Sequence, residues 1–385
     1  MFEHELSQLD EQHLLRRLRI VDSYSGSRIT IHNREMLLLC SNDYLGLANH
    51  PSLRQAAVQA MERYGFGAGA SRLISGTSRL HQALEDRIAR FKGAEAALVF
   101  NSGYAANTGI IPAIAGTGDM ILSDSLNHAS IIDGCRLSKA EVRVYRHKDA
   151  GQVETFLKKG RNAGRKLIVT DGVFSMDGDI APLQDLLTLA EKYDAILMVD
   201  DAHGAGVLGE TGRGTVEHLG LSGRVHIQMG TLGKAFGSFG AYAAGSKDLI
   251  NMLINQARSF IYSTALPPSV CAASLAAIDI VEQEPELRDK LWKNRSRFVN
   301  GLKSIGISTG NSETPIIPII IGDPVRALTA AEKLFEYGIY VPAIRPPTVP
   351  ANAARIRTTV TAAHTGEDID SALDIFRKLK QEGYL

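Results

Sequence analysis

Tryptophan occurs once, cysteine three times, and aromatic residues make up only 6% of the chain. Cys40, Cys135 and Cys271 lie far apart and show no C-x-x-C spacing, which excludes a disulfide framework or a cysteine metal knuckle and fits a reducing compartment. An excess of one charge is missing too. Lys and Arg total 42 and Asp and Glu total 42, so no net field draws the chain to nucleic acid or an anionic membrane. No apolar run approaches the roughly 20 residues of a membrane helix. The opening Met1-Phe2-Glu3-His4-Glu5-Leu6 has neither the basic nor the apolar character of a targeting peptide. Internal repeats and low-complexity segments are also absent. These absences lead to the expectation of a soluble cytoplasmic chain of enzyme size, with no nucleic acid, membrane or metal involved.

At 385 residues and 44% hydrophobic content, the chain can bury a large core and is expected to form more than one domain. Residues 4–19 read as an amphipathic helix with Leu9, Leu14, Leu15 and Leu18 on one side, and 28–39 as a short strand pair. From about 75 to 245, strand patterns at 96–100, 120–123, 142–145, 167–171, 195–200, 225–230 and 239–244 alternate with helical ones. The helices fall at 82–92, 105–115, 131–139, 152–162 and 183–193. Such alternation predicts βαβ units, a mostly parallel sheet with helices on both faces, and ligands beyond the carboxyl ends of the strands. Pro267-Pro268 opens a helical stretch to about 303, and the remainder reads as a small α+β domain. The expected division is a helix-and-strand arm over 1–45, a large α/β domain over 46–280 and a small domain over 281–385.

The chemistry concentrates at strand ends. Lys234 sits among small residues in Gly230-Thr231-Leu232-Gly233-Lys234-Ala235-Phe236-Gly237, and Asp200 and His203 follow the apolar run 195–199. A lysine of this kind is a solvated loop residue by default. Paired with an aspartate at the end of a neighbouring buried strand, it matches the needs of pyridoxal phosphate: an amine for a Schiff base with the cofactor aldehyde and a carboxylate for the pyridinium nitrogen. Asp200 and Asp201 point to opposite sides of their strand end, so only one can face the site. Asn101-Ser102-Gly103-Tyr104-Ala105-Ala106-Asn107 joins a strand to a helix N-terminus, where backbone N–H groups can cradle a phosphate. His128 and Ser175 follow further strands and offer a flat ring and a hydroxyl. Arg355 and Arg357 share one face of a strand, and a guanidinium fork suits a carboxylate. The run Gly204-Ala205-Gly206-Val207-Leu208-Gly209 matches G-x-G-x-x-G, but Glu210-Thr211-Gly212-Arg213-Gly214 cannot continue it as a helix, which argues against a dinucleotide site.

Taken together, the segments resemble the α-oxoamine synthases, fold type I pyridoxal phosphate enzymes of the aspartate aminotransferase-like fold, along nearly the whole chain. The resemblance rests on Ser41-Asn42-Asp43-Tyr44-Leu45-Gly46-Leu47, Gly67–Gly76, Val199–Gly204, Thr231–Gly237, Arg345–Pro350 and Arg355–His364. It implies pyridoxal 5'-phosphate as cofactor, with Lys234 on its aldehyde, Asp200 on the ring nitrogen, His203 and Ser175 on the phenolic oxygen and His128 over the ring. Gly103, Tyr104 and Thr231, with Thr264 from a partner subunit, would hold the phosphate. Arg357 would bind the amino-acid carboxylate, and Arg16, Asn42, Ser71 and Thr348 would meet substrate. The implied partners are L-alanine, pimeloyl-CoA or pimeloyl-carrier protein, and a second copy in a homodimer. Glycine with acetyl-CoA or succinyl-CoA, and serine with palmitoyl-CoA, stay open as alternatives within the family. Ser71 leaves more room than a threonine there would, which favours alanine over glycine only modestly.

Overall fold

A computed structural model describes residues 2–385, and the chain falls into two units. One comprises Leu47–Ser175 and Ile180–Arg288; the other joins the N-terminal residues through Gly46 to Met176–Asp179 and Asp289–Leu385.

The first unit is built on a seven-stranded sheet of β1 (Ala96–Phe100), β2 (Met120–Asp124), β3 (Glu141–Tyr145), β4 (Lys166–Asp171), β5 (Ile196–Asp200), β6 (Ile227–Thr231) and β7 (Ala241–Gly245). Their order is β1-β7-β6-β5-β4-β2-β3, and β7 runs antiparallel between β1 and β6 while the others are parallel. The near-continuous apolar runs follow from burial on both faces. Ile121, Leu167, Val169 and Met198 enter one core cluster, while their chain neighbours Leu122, Ile168, Leu197 and Val199 enter the other. Between them the clusters pack helices against both faces, so the carboxyl ends of the parallel strands are the open rim.

Helix α1 (Gly103–Ile114) follows β1 and α2 (Ala129–Ser138) follows β2. Ser102 caps α1 by accepting from Ala105 N at 3.0 Å. His128 caps α2 by accepting from Ser130 N through Nδ1 at 3.2 Å.

In the second unit, strands Ser23–Ser25, Arg28–Ile31 and Arg34–Leu38 pair antiparallel, and Ile339–Tyr340 adds in parallel beside Leu37 and Leu38. A separate antiparallel sheet places Ala354–Thr359 between Ile316–Gly322 and Ala343–Ile344. Two sequence expectations need correction. The helix expected over 4–19 spans only Glu3–Glu11, because His13 turns to φ 57° and Leu14 and Leu15 both donate to Leu9 O. The single helical stretch expected from 267 to 303 is two helices, Pro268–Gln283 and Pro285–Ser304, since Pro285 has no N–H to continue the first. Among the described residues, no helix is long and apolar enough to cross a membrane.

Candidate active site

Three neighbouring strand ends set the floor of the site. Register places Asp171 of β4 beside Asp200 of β5, and Asp200 beside Met229 of β6. Two residues beyond β6, the chain turns sharply to carry Lys234. Gly237 closes that turn at φ 59°, where a Cβ would strike the Ala48 backbone. The resulting cavity of about 200 Å³ brings together Gly103, Tyr104, His128, Ser175, Asp200, His203, Thr231 and Lys234. It is lined as well by Ser130, Asp171, Ala202 and Met229, which sequence reasoning did not single out. The one available signal was that β4, like β5, ends in aspartate.

Asp200 is 3% exposed, and its Oδ2 accepts from Asn107 Nδ2 at 2.7 Å and its Oδ1 from Ala202 N at 3.0 Å. Lys234 Nζ lies 2.8 Å from His203 Nε2, so the amine and imidazole form one hydrogen-bonded pair. Asp171 accepts from the His128 N–H at 2.8 Å, and burial together with the neighbouring Asp200 charge pushes its pKa well above the ordinary carboxylate range. Asn127 fixes this corner by donating to Val169 O and accepting from Asp171 N, each at 2.9 Å. Desolvation lowers the His128 pKa; Asp200 opposes that shift and Lys234 reinforces it.

Asp201 points the other way, as alternation requires. Its carboxylate is fully buried against Lys92 Nζ at 3.2 Å and Thr215 Oγ1 at 2.5 Å. A Cβ on Gly204 would collide with both Asp201 Oδ1 and Thr215 Oγ1, which explains a glycine there without any dinucleotide. Also lining the cavity, Thr231 Oγ1 donates to Gly240 O at 2.9 Å and accepts from Gly233 N at 3.2 Å.

The remaining residues picked out from sequence lie elsewhere. Ser71 and Thr264 form an isolated β-bridge to one another in the first unit, outside the cavity lining. In the second unit, Arg357 is 6% exposed and donates to Asn42 Oδ1 at 3.2 Å. Its neighbour Tyr44 is buried, which pushes the phenol up to about 12 against the opposing pull of Arg357. Arg355 instead pairs with Asp177 at 2.6 Å. Arg16 and Thr348 are exposed; Arg345 donates to Leu15 O at 2.9 Å and is held below its ordinary pKa by burial and then by Arg16.

The family model for aminotransferase class I and II matches residues 34–376. 8-Amino-7-oxononanoate synthase of Geobacter sulfurreducens is 56% identical over 381 residues, covering 98% of this chain and 97% of that protein. Serine palmitoyltransferase from S. paucimobilis, solved with bound pyridoxal phosphate–myriocin aldimine, superposes with a TM-score of 0.94 at 31% identity, covering 99% and 98%. Crystalline 8-amino-7-oxononanoate synthase from Francisella tularensis gives a TM-score of 0.79 at 32% identity, covering 91% and 99%. Fold, cavity and relatives thus define a fold type I pyridoxal phosphate enzyme, with pyridoxal 5'-phosphate as its cofactor. Within that class, the chain belongs to the α-oxoamine synthase family.

The donor set suits that cofactor. Asp200 is a buried carboxylate that forms no ion pair among the described residues, a costly state unless a cation such as a ring N–H⁺ meets it. At the N-terminus of α1 the first backbone N–H groups have no intrahelical acceptor, as a phosphate requires. Lys234, in the same cavity lining, supplies the amine.

Proposed function

We propose that this chain condenses L-alanine with a pimeloyl thioester, carried by CoA or by a carrier protein, to give 8-amino-7-oxononanoate, CO2 and the free thiol, a step of biotin biosynthesis. The observation that carries this reading is one cavity holding an amine hydrogen-bonded to an imidazole, Lys234 to His203 at 2.8 Å, and a buried carboxylate awaiting a cation, Asp200. The choice of substrates is supported by the 56% identity over almost the full length of an 8-amino-7-oxononanoate synthase.

When bound, the cofactor supplies an aldehyde for amine exchange and a ring that accepts an electron pair from the carbon being activated. Asp200 would hold the ring nitrogen protonated through its free lone pairs. Gly103 and Tyr104 amides and the Thr231 hydroxyl would hold the phosphate, with Thr264 contributed by a second copy. His203 and Ser175 would hydrogen-bond the phenolic oxygen, and His128 would cover the ring face. Lys234 Nζ, freed by the incoming amino acid, would take the proton from the α-carbon of alanine. Arg357, steadied by Asn42, is the cation assigned to the amino-acid carboxylate, while Arg16, Ser71 and Thr348 are assigned to substrate. The working form is a homodimer in the cytoplasm; Phe66 at 79%, Ile74 at 81% and Tyr262 at 71% exposed support a self-association surface.

The test is a panel of L-alanine, glycine and L-serine against pimeloyl-, acetyl-, succinyl- and palmitoyl-CoA, scoring thiol release and product mass. The expected outcome is preference for L-alanine with pimeloyl-CoA, abolished in Lys234→Ala. Preference for glycine with acetyl-CoA would overturn the substrate assignment and leave the proton chemistry in place.

A further inference from the structure

The amide of Asn107, on α1, is fully buried behind the cavity wall. Its Nδ2 donates one hydrogen to Asp200 Oδ2 at 2.7 Å and the other to Ser130 Oγ at 2.9 Å. Ser130 Oγ is in turn 2.8 Å from His128 Nδ1. Asp200 dictates the orientation of the amide, because an N–H and not a carbonyl oxygen is stable so close to a carboxylate. Proton counting fixes the rest. Both Nδ2 hydrogens are used, so Ser130 Oγ accepts from Asn107 and gives its single proton to the partner that remains, His128 Nδ1. The backbone N–H of Ser130 converges on the same nitrogen at 3.2 Å. With two donors aimed at it, Nδ1 carries the lone pair and the ring proton resides on Nε2.

We propose that Asn107 and Ser130 are positioning residues that hold His128 as its Nε2–H tautomer and tie that ring to the carboxylate of Asp200. The relay depends on the proposed condensation only for the use made of His128, not for its own existence. Its chemical consequence is a neutral imidazole with a hydrogen-bond donor of fixed direction. Such a donor suits an oxygen that gains negative charge when a thioester carbonyl is attacked. Charging the ring would set an Nδ1–H against two donors, and desolvation already holds its pKa below the ordinary histidine value. The titratable groups that face the cavity with it are Tyr104 from α1, Asp171 from β4, Asp200 and His203 from the end of β5, and Lys234 after β6. Asp200 favours a charged ring, and Lys234 opposes it.

Full-length holoenzyme labelled with ¹⁵N-histidine gives a direct reading, since nitrogen shifts separate a bare from a protonated ring nitrogen. The wild type should show Nδ1 bare and Nε2 protonated for His128. Ser130→Ala should yield a tautomer mixture and an upward shift of the His128 midpoint toward the ordinary value of about 6.5. Ser130→Thr, which keeps the hydroxyl, should retain the wild-type tautomer. Asn107→Leu should also release the tautomer, although it touches no atom of His128, because Ser130 Oγ no longer accepts from Asn107 and is free to accept from an Nδ1–H of His128. An unchanged tautomer and midpoint in both Ser130→Ala and Asn107→Leu overturns the relay, as does an Nδ1–H in the wild type. A wild-type tautomer as stated, in an enzyme silent toward every substrate pair of the panel and toward L-alanine with pimeloyl-carrier protein, supports the relay and overturns the proposed reaction.

Discussion

Asp200 and Asp201 are adjacent in sequence and opposite in fate. Asp200 faces the cavity and accepts from Asn107, whereas Asp201 and Lys92 are both removed from water and bound to each other. Lys92 also donates to Arg213 O, so its three-donor head is tied to two chain segments. Removing one member of such a pair strands the other charge, at a cost of about 3–5 kcal/mol. Lys92→Met should lower stability by that order in urea denaturation, and Asp201→Asn added to it should recover part of the loss. Equal stability of Lys92→Met and wild type would show the pair to be dispensable. His81 is a second buried titratable group. Its Nδ1 accepts from Ser78 N at 3.1 Å and its Nε2 contacts Leu266 O at 3.0 Å, and burial followed by the nearby Arg72 lowers its pKa to about 4. Because the unfolded chain binds this proton more readily, the contribution of neutral His81 is complete above about pH 6.5 and declines as pH falls toward 4. Denaturation midpoints measured across that window should slope downward in acid, and His81→Gln should flatten the slope.

The strands and helices of the sheet unit were legible because their apolar runs and helical stripes alternate cleanly, although β6 and β7 begin two residues later than their patterns suggest. The helix Pro51–Tyr64 escaped notice, since it buries only Leu53 and Ala60 and so carries little stripe; Pro51 at its first turn and the His50 cap were the available signals. The N-terminal helix misled in the opposite direction. Its leucines continue the spacing past Glu11, yet none of its residues is buried, so no packing rewards a longer helix. Site residues on strand ends were readable for the same reason the strands were. Asp171, although it ends a strand, was not singled out, and neither were Ser130 and Asn107, because their significance comes from register and from contacts between segments far apart in sequence. Caps make this scale testable. Ser102→Ala should cost about 1 kcal/mol through loss of the α1 cap, and it should weaken retention of the cofactor because the same turn presents the phosphate-binding amides. Thermal unfolding and equilibrium dialysis of the cofactor check the two effects separately.

For the whole molecule, the apolar side chains left in water on the sheet unit set the expected behaviour. Ile74→Asp should shift the sedimentation profile toward monomer, and an unchanged profile would place the self-association surface elsewhere. The topology of the sheet has a different kind of outcome. β1 has a single neighbour, β7, and their register pairs Phe100 with Ala241. On the ribosome, the first strand of the sheet therefore emerges long before the strand it must join. Residues 101–240, including those that build the cavity, are synthesised while both edges of an apolar five-residue segment stand open. Long-range closure of this kind is slow. Nascent chains stalled before residue 241 should consequently be aggregation-prone and dependent on chaperones, and release of that dependence should coincide with emergence of Ala241–Gly245 from the exit tunnel.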